Sequence, residues 1–176
     1  QFAEAIATTN KAIEIFKKIN HLTYQGSSYN NLAIIYKRLG DLEKSLEMQL
    51  LAGETYDKAG YELGSARVSN NLGSLFKRMD DFDKAEVYYI KARALYNKLS
   101  EKGDSTGIAS SRLNLGLLYA SMGKLEMAKT ILDSANRYYD RNNILTEKVL
   151  VYNGLANIYK QEKNYDLLFT TLENAI

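Results

Sequence analysis

One six-residue pattern recurs along the chain and limits what it can fold into. Asn31-Leu-Ala-Ile-Ile-Tyr36, Asn71-Leu-Gly-Ser-Leu-Phe76 and Asn114-Leu-Gly-Leu-Leu-Tyr119 share it, and Gly154-Leu-Ala-Asn-Ile-Tyr159 carries a weaker copy. The aromatic ends are separated by 40, 43 and 40 residues, with the longer step holding a short insertion at Ser100-Glu-Lys-Gly-Asp104. A period of this length marks a repeat array, in which each unit buries its apolar face only against its neighbours.

Other columns keep step with the aromatic one. Small residues stand at Ala33, Gly73, Gly116 and Ala156, at Ala5, Ser45, Ala85 and Ala128, and at Ala12, Ala52, Ala92, Ala135 and Ala175. Bulky ones stand at Leu32, Leu72, Leu115 and Leu155, and a second aromatic column at Phe16, Tyr56, Tyr96 and Tyr139. Small side chains let helices approach closely, and the bulky ones fill the space between. Apolar spacings of three and four residues predict helices over 2–19, 24–39, 42–59, 62–79, 82–100, 105–122, 125–141, 145–162 and 165–176. Gly40-Asp41, Asp80-Asp81, Gly123-Lys124 and Lys163-Asn164 read as turns, with a left-handed helix end followed by the next helix start. The absence of proline fits a chain that is nearly all helix.

These columns resemble the tetratricopeptide repeat family: a Leu-Gly/Ala-x-x-Tyr core in the first helix of each unit, a Gly-Asp-like turn, and two Ala seven residues apart in the second helix. The unit length is similar to the forty-residue variety found in kinesin light chains, spindle-orientation adaptors and bacterial peptide-sensing regulators. Departures are the missing Trp at the motif start, where Tyr29, Ser69, Arg112 and Tyr152 stand, Asp80 at the turn glycine, and Leu168 in a small-residue column. The resemblance implies an all-α, right-handed superhelical solenoid of antiparallel helix pairs, with about nine helices in one array over residues 1–176. That array divides into a half repeat, 1–23, and repeats at about 24–61, 62–104, 105–144 and 145–176. The cut units at both ends imply a longer native array and open apolar ends through which copies could self-associate.

Catalysis finds no raw material. With His21 the sole histidine and no cysteine, neither a two-His metal site nor a cysteine nucleophile can be assembled. Gly123-Lys124 lacks the spacing of a phosphate loop, and Asp80, Asp81 and Asp83 lack the later Gly and Glu of a calcium loop, reading instead as a helix start. No enzyme activity, metal or cofactor is therefore expected. A net charge of +2 with interspersed signs gives no support to nucleic-acid binding, and no apolar run is long enough for a membrane span.

What remains is a surface for a protein or peptide partner. The resemblance implies that the first helix of each unit lines a concave groove. The inward columns are then Asn30, Asn70, Leu113 and Asn153; Ser27, Arg67 and Ser110; Ile34, Ser74, Leu117 and Asn157; and Lys37, Lys77, Ala120 and Lys160. The expected peptide-binding residues are Asn30, Arg67, Asn70, Ser74, Lys37, Lys77, Asn153, Asn157 and Lys160: amides suit a peptide backbone, and Lys and Arg suit carboxylates. Asn31, Asn71 and Asn114 are expected to bond neighbouring helix backbones and hold register. The function expected is an interaction scaffold holding an extended or helical segment of a partner. The alternative is the sensory or regulatory region of a larger bacterial signalling protein, a kinase or transcription regulator; the sequence leaves the compartment open between the cytoplasm, which the first reading favours, and the periplasm for a bacterial sensor.

Overall fold

A computed structural model describes residues 2–100 and 105–174. Every regular element among them is a helix: α1 (Phe2–Lys18), α2 (Leu22–Leu39), α3 (Leu42–Lys58), α4 (Glu62–Arg78), α5 (Phe82–Ser100), α6 (Ser105–Ser121), α7 (Leu125–Arg141), α8 (Leu145–Gln161) and α9 (Tyr165–Glu173). The expected spans agree to within two residues at most boundaries. The insertion at 101–104 and Ala175 lie outside the described residues. Two compact units result, one of α1–α5 and one of α6–α9.

The turns explain why the helices stop where they do. Asn20, Gly40, Gly60, Asp80, Gly123, Asn143 and Lys163 all have positive φ, so a left-handed residue ends each of seven helices. At each turn, the amide of the residue that follows donates to the carbonyl of an aromatic residue: His21 to Phe16, Asp41 to Tyr36, Tyr61 to Tyr56, Asp81 to Phe76, Lys124 to Tyr119, Ile144 to Tyr139 and Asn164 to Tyr159, at 2.9–3.0 Å. The aromatic column thus does two jobs, packing its ring between helices and offering its carbonyl to close the turn. Sequence reading found only the turns within units. Asn20, Gly60 and Asn143 are their counterparts between units, so the structural period is half the sequence period.

Asp80, expected at the turn glycine, is the left-handed end of α4 with a φ of 59°, so within the acidic cluster the helix start falls after it. Asp81 is the residue that caps α5, accepting from the Lys84 amide at 3.1 Å, as Asp41 accepts from Lys44 at the start of α3.

Packing follows the columns. Ala33, Ala52, Ala85, Ala92, Ala128 and Ala135 are fully buried, and Leu32, Leu72, Leu115 and Leu155 nearly so. A Cβ on Gly73 would lie 2.6 Å from the Tyr89 ring, and one on Gly116 would lie 2.7 Å from Leu132. Within the first unit consecutive helices pack in pairs and α2 also touches α4; within the second, α6 touches α8. Among the described residues α3 does not touch α5, nor α7 touch α9. In each unit the even-numbered helices therefore draw together while the odd-numbered ones splay. Among the described residues no helix is long and apolar enough to cross a membrane.

Candidate peptide-binding face

The even-numbered helices of the first unit carry six of the nine expected binding residues: Asn30 and Lys37 on α2, and Arg67, Asn70, Ser74 and Lys77 on α4. Arg67 is exposed and the other five are half-buried. The α2–α4 approach brings them to adjoining faces, because positions three, four and seven apart share one side of a helix.

Asn30 is tied into the scaffold. Its Oδ1 accepts from the Asn71 amide at 2.9 Å and from the Gln49 amide at 3.3 Å, joining α2 to α4 and α3. The register residue Asn71 therefore bonds a side chain rather than a helix backbone, and its partner is a residue expected in the groove. Asn31, expected to share the register role, is exposed on α2. Ser74 is also engaged: its hydroxyl bonds to the buried Tyr89 phenol, whose pKa burial raises. Ser27, in the Arg67 column, sits 3.0 Å from the Tyr56 hydroxyl. Much of the polar lining thus holds neighbouring helices together.

The lysines behave differently. Burial holds the Lys37 pKa below its ordinary value, and the Arg78 and Arg38 charges push it the same way. Burial likewise lowers that of Lys77. Arg78, which sequence reading missed, is exposed and acts on Lys37 across the α2–α4 junction. Its signal was present: Lys-Arg closes both helices, at Lys37-Arg38 and Lys77-Arg78, but only the first of each pair was tracked. Basic residues in a last turn suit the helix dipole individually. The half-buried Lys37 on α2 thus feels the charge of Arg78 on α4.

In the second unit, Asn153, Asn157 and Lys160 stand exposed on one side of α8. Their column partners Leu113 and Ala120 on α6 are buried, so that helix supplies packing rather than an open lining. His21 caps α2 through its Nδ1, 3.5 Å from the Tyr24 amide, and stacks on the Tyr24 ring at 4.2 Å.

Two family models, both of the tetratricopeptide repeat, match residues 64–140 and 26–52, which together exceed half the chain. No curated protein sequence matches it. Among solved structures, the crystal structure of BtubC (BKLC) from P. vanneervenii is similar at a TM-score of 0.85 and 24% identity, over 99% of this chain and 71% of that one. A Podosopora anserina putative kinesin light chain with nearly identical TPR-like repeats gives 0.73 and 15%, over 99% and 85%. The apo form of RapI gives 0.71 and 18%, over 99% and 60%. At these identities the likeness is one of fold.

Proposed function

We propose that this chain, which belongs to the tetratricopeptide repeat family, is an interaction scaffold whose even-numbered helices hold an extended acidic segment of a partner protein. The observation that carries this reading is the half-buried Lys37 ammonium, partly desolvated and repelled by Arg78. A carboxylate between them restores the charge balance that burial disturbs, and charge-assisted bonds to Lys and Arg are the stronger kind. Arg67 and Lys77 extend the positive strip along α4, while exposed Asn153, Asn157 and Lys160 offer amide and ammonium donors on α8. Asn30 and Ser74 contribute by shaping the surface rather than by direct contact.

Exposed Phe2 and Ile15 on α1 and Ile19 just after it, with Leu145, Phe169 and Leu172 on α8 and α9, support self-association as a second part of this reading. Sedimentation as a monomer at high concentration contradicts that part alone.

Panning a random-peptide library against the chain tests the main reading. Selected sequences rich in Asp and Glu are expected; a selection without acidic bias contradicts it.

A further inference from the structure

Where α3 and α5 splay apart, a cleft of about 140 Å³ opens over α4, and an adjoining hollow of about 370 Å³ shares Asp57, Ser65 and Lys91 with it. Ser65 and Ser69 belong to its floor, Gly53, Glu54 and Asp57 to its α3 wall, and Lys91 to its α5 wall.

The second unit carries different side chains at the corresponding positions. Asp57, Ser65 and Ser69 occupy the same repeat positions as Asp140, Lys148 and Tyr152, 83 residues further on. In the second unit the Lys148 ammonium lies 2.5 Å from Asp140 and 5.6 Å from the centre of the Tyr152 ring. The first unit keeps the carboxylate but has serine in place of both the cation and the ring. Asp57 then accepts only the Ser65 hydroxyl, at 2.6 Å, among the described residues. A lysine and an aromatic ring are thus missing together from one pocket, and the pocket remains.

Gly53 points the same way. Gly26, Gly64, Gly73, Gly116 and Gly154 lie in helices where an added Cβ would meet a neighbour at 2.6–2.8 Å, so packing accounts for them. At Gly53 the nearest atom to an added Cβ is Val68 Cγ1, at 3.4 Å, an ordinary contact. A mid-helix glycine costs about 0.5–1 kcal/mol relative to alanine. Its effect here is to leave the wall without a side chain. The walls are also charged. Glu54 and Asp57 face the opening, Lys91 makes no ion pair with either among the described residues, and the nearby Glu62 is taken by Lys98.

We propose that this cleft is a second docking surface, which takes from a partner protein a segment presenting a Lys or Arg side chain beside an aromatic one. The cation meets Asp57 and Glu54, and the ring lies over Ser69, in the space that Lys148 and Tyr152 occupy in the second unit. The inference is independent of the acidic-segment reading, since it uses different helices and the opposite charge.

An NMR titration of the isotope-labelled chain with N-acetyl-Arg-Tyr-amide, and with N-acetyl-Glu-Tyr-amide as control, tests it. The Arg peptide is expected to shift the backbone amides of Gly53, Asp57 and Ser65 saturably, and the Glu peptide to leave them unmoved. Asp57→Asn should weaken the Arg peptide about tenfold. Ser65→Lys with Ser69→Tyr, which rebuilds the second unit's arrangement in place, should abolish binding and raise the unfolding temperature. Equal shifts from both peptides, no shifts from either, or undiminished binding to the Asp57→Asn chain overturns the proposal. The single Asp57→Asn change decides the matter if the double substitution does not fold. Binding of an acidic peptide to the α2–α4 face should persist in every variant.

Discussion

The Asn71 side-chain amide donates to Asn30 Oδ1 at 2.9 Å, joining two helices whose donor and acceptor lie 41 residues apart in the chain. Gln49, almost wholly buried, donates to the same oxygen. Asn30→Ala leaves two donors without their acceptor and is expected to cost about 1–3 kcal/mol, more than Asn71→Ala, because an orphaned buried polar group loses its full hydration. Urea unfolding of the two single variants and the double variant measures this. Simple additivity of the two changes would show that the bond carries no coupling.

Glycines of different origin should respond oppositely to alanine. Gly73→Ala drives a methyl group against the Tyr89 ring, 2.6 Å away, and is expected to cost about 1–3 kcal/mol. Gly53→Ala meets only Val68 at 3.4 Å and is expected to stabilise by about 0.5–1 kcal/mol. Thermal unfolding followed by circular dichroism should move down for the first and up for the second.

Lys163 ends α8 at a φ of 57°, a conformation that costs side-chain-bearing residues about 1–2 kcal/mol. Lys163→Gly should therefore raise the unfolding midpoint of the second unit. Asp80→Gly at the same place after α4 should gain less, since Asp tolerates the left-handed region better than Lys. An unchanged midpoint for Lys163→Gly would show that the strain is absorbed elsewhere.

Acid should act through the helix starts. Hydrogen bonds from the side chain and then the backbone amide of Lys44 hold the Asp41 carboxyl below its ordinary value of 3.8, and Lys84 does the same for Asp81. A depressed folded-state pKa means that the folded state binds the proton more weakly than the unfolded one. The stabilisation is then present above the ordinary value and lost as pH falls below it. Stability measured from pH 6 downward should decline below about pH 4, and less steeply in a chain carrying Asp41→Asn and Asp81→Asn.

Sequence reading placed the helices closely because their evidence is periodic: Leu32, Leu72, Leu115 and Leu155 recur in step, and each is buried. The turns at Asn20, Gly60 and Asn143 escaped because an Asn or Gly in isolation signals many conformations. Only the aromatic carbonyls at Phe16, Tyr56 and Tyr139 identify the shared turn. The face was legible as a set of columns, but a column names the side of a helix without its partners. Asn30 and Ser74 are held by Asn71, Gln49 and Tyr89, contacts that cross between helices and carry no fixed spacing along the chain. Arg78 lies one residue off the tracked column, yet acts on Lys37 because α2 and α4 approach.

The central claim is that the even-numbered helices bind an acidic segment. Calorimetric titration of the chain with the strongest acidic peptide from a library selection tests it most directly, alongside a variant with Lys37→Ala, Arg67→Ala and Lys77→Ala. The triple substitution is expected to weaken binding by at least about tenfold while helical content, read by circular dichroism, is unchanged. Affinity for the original chain should also fall as pH rises toward the ordinary lysine value of 10.5, since burial makes Lys37 and Lys77 lose their protons early. An undiminished affinity in a folded triple variant would contradict the claim.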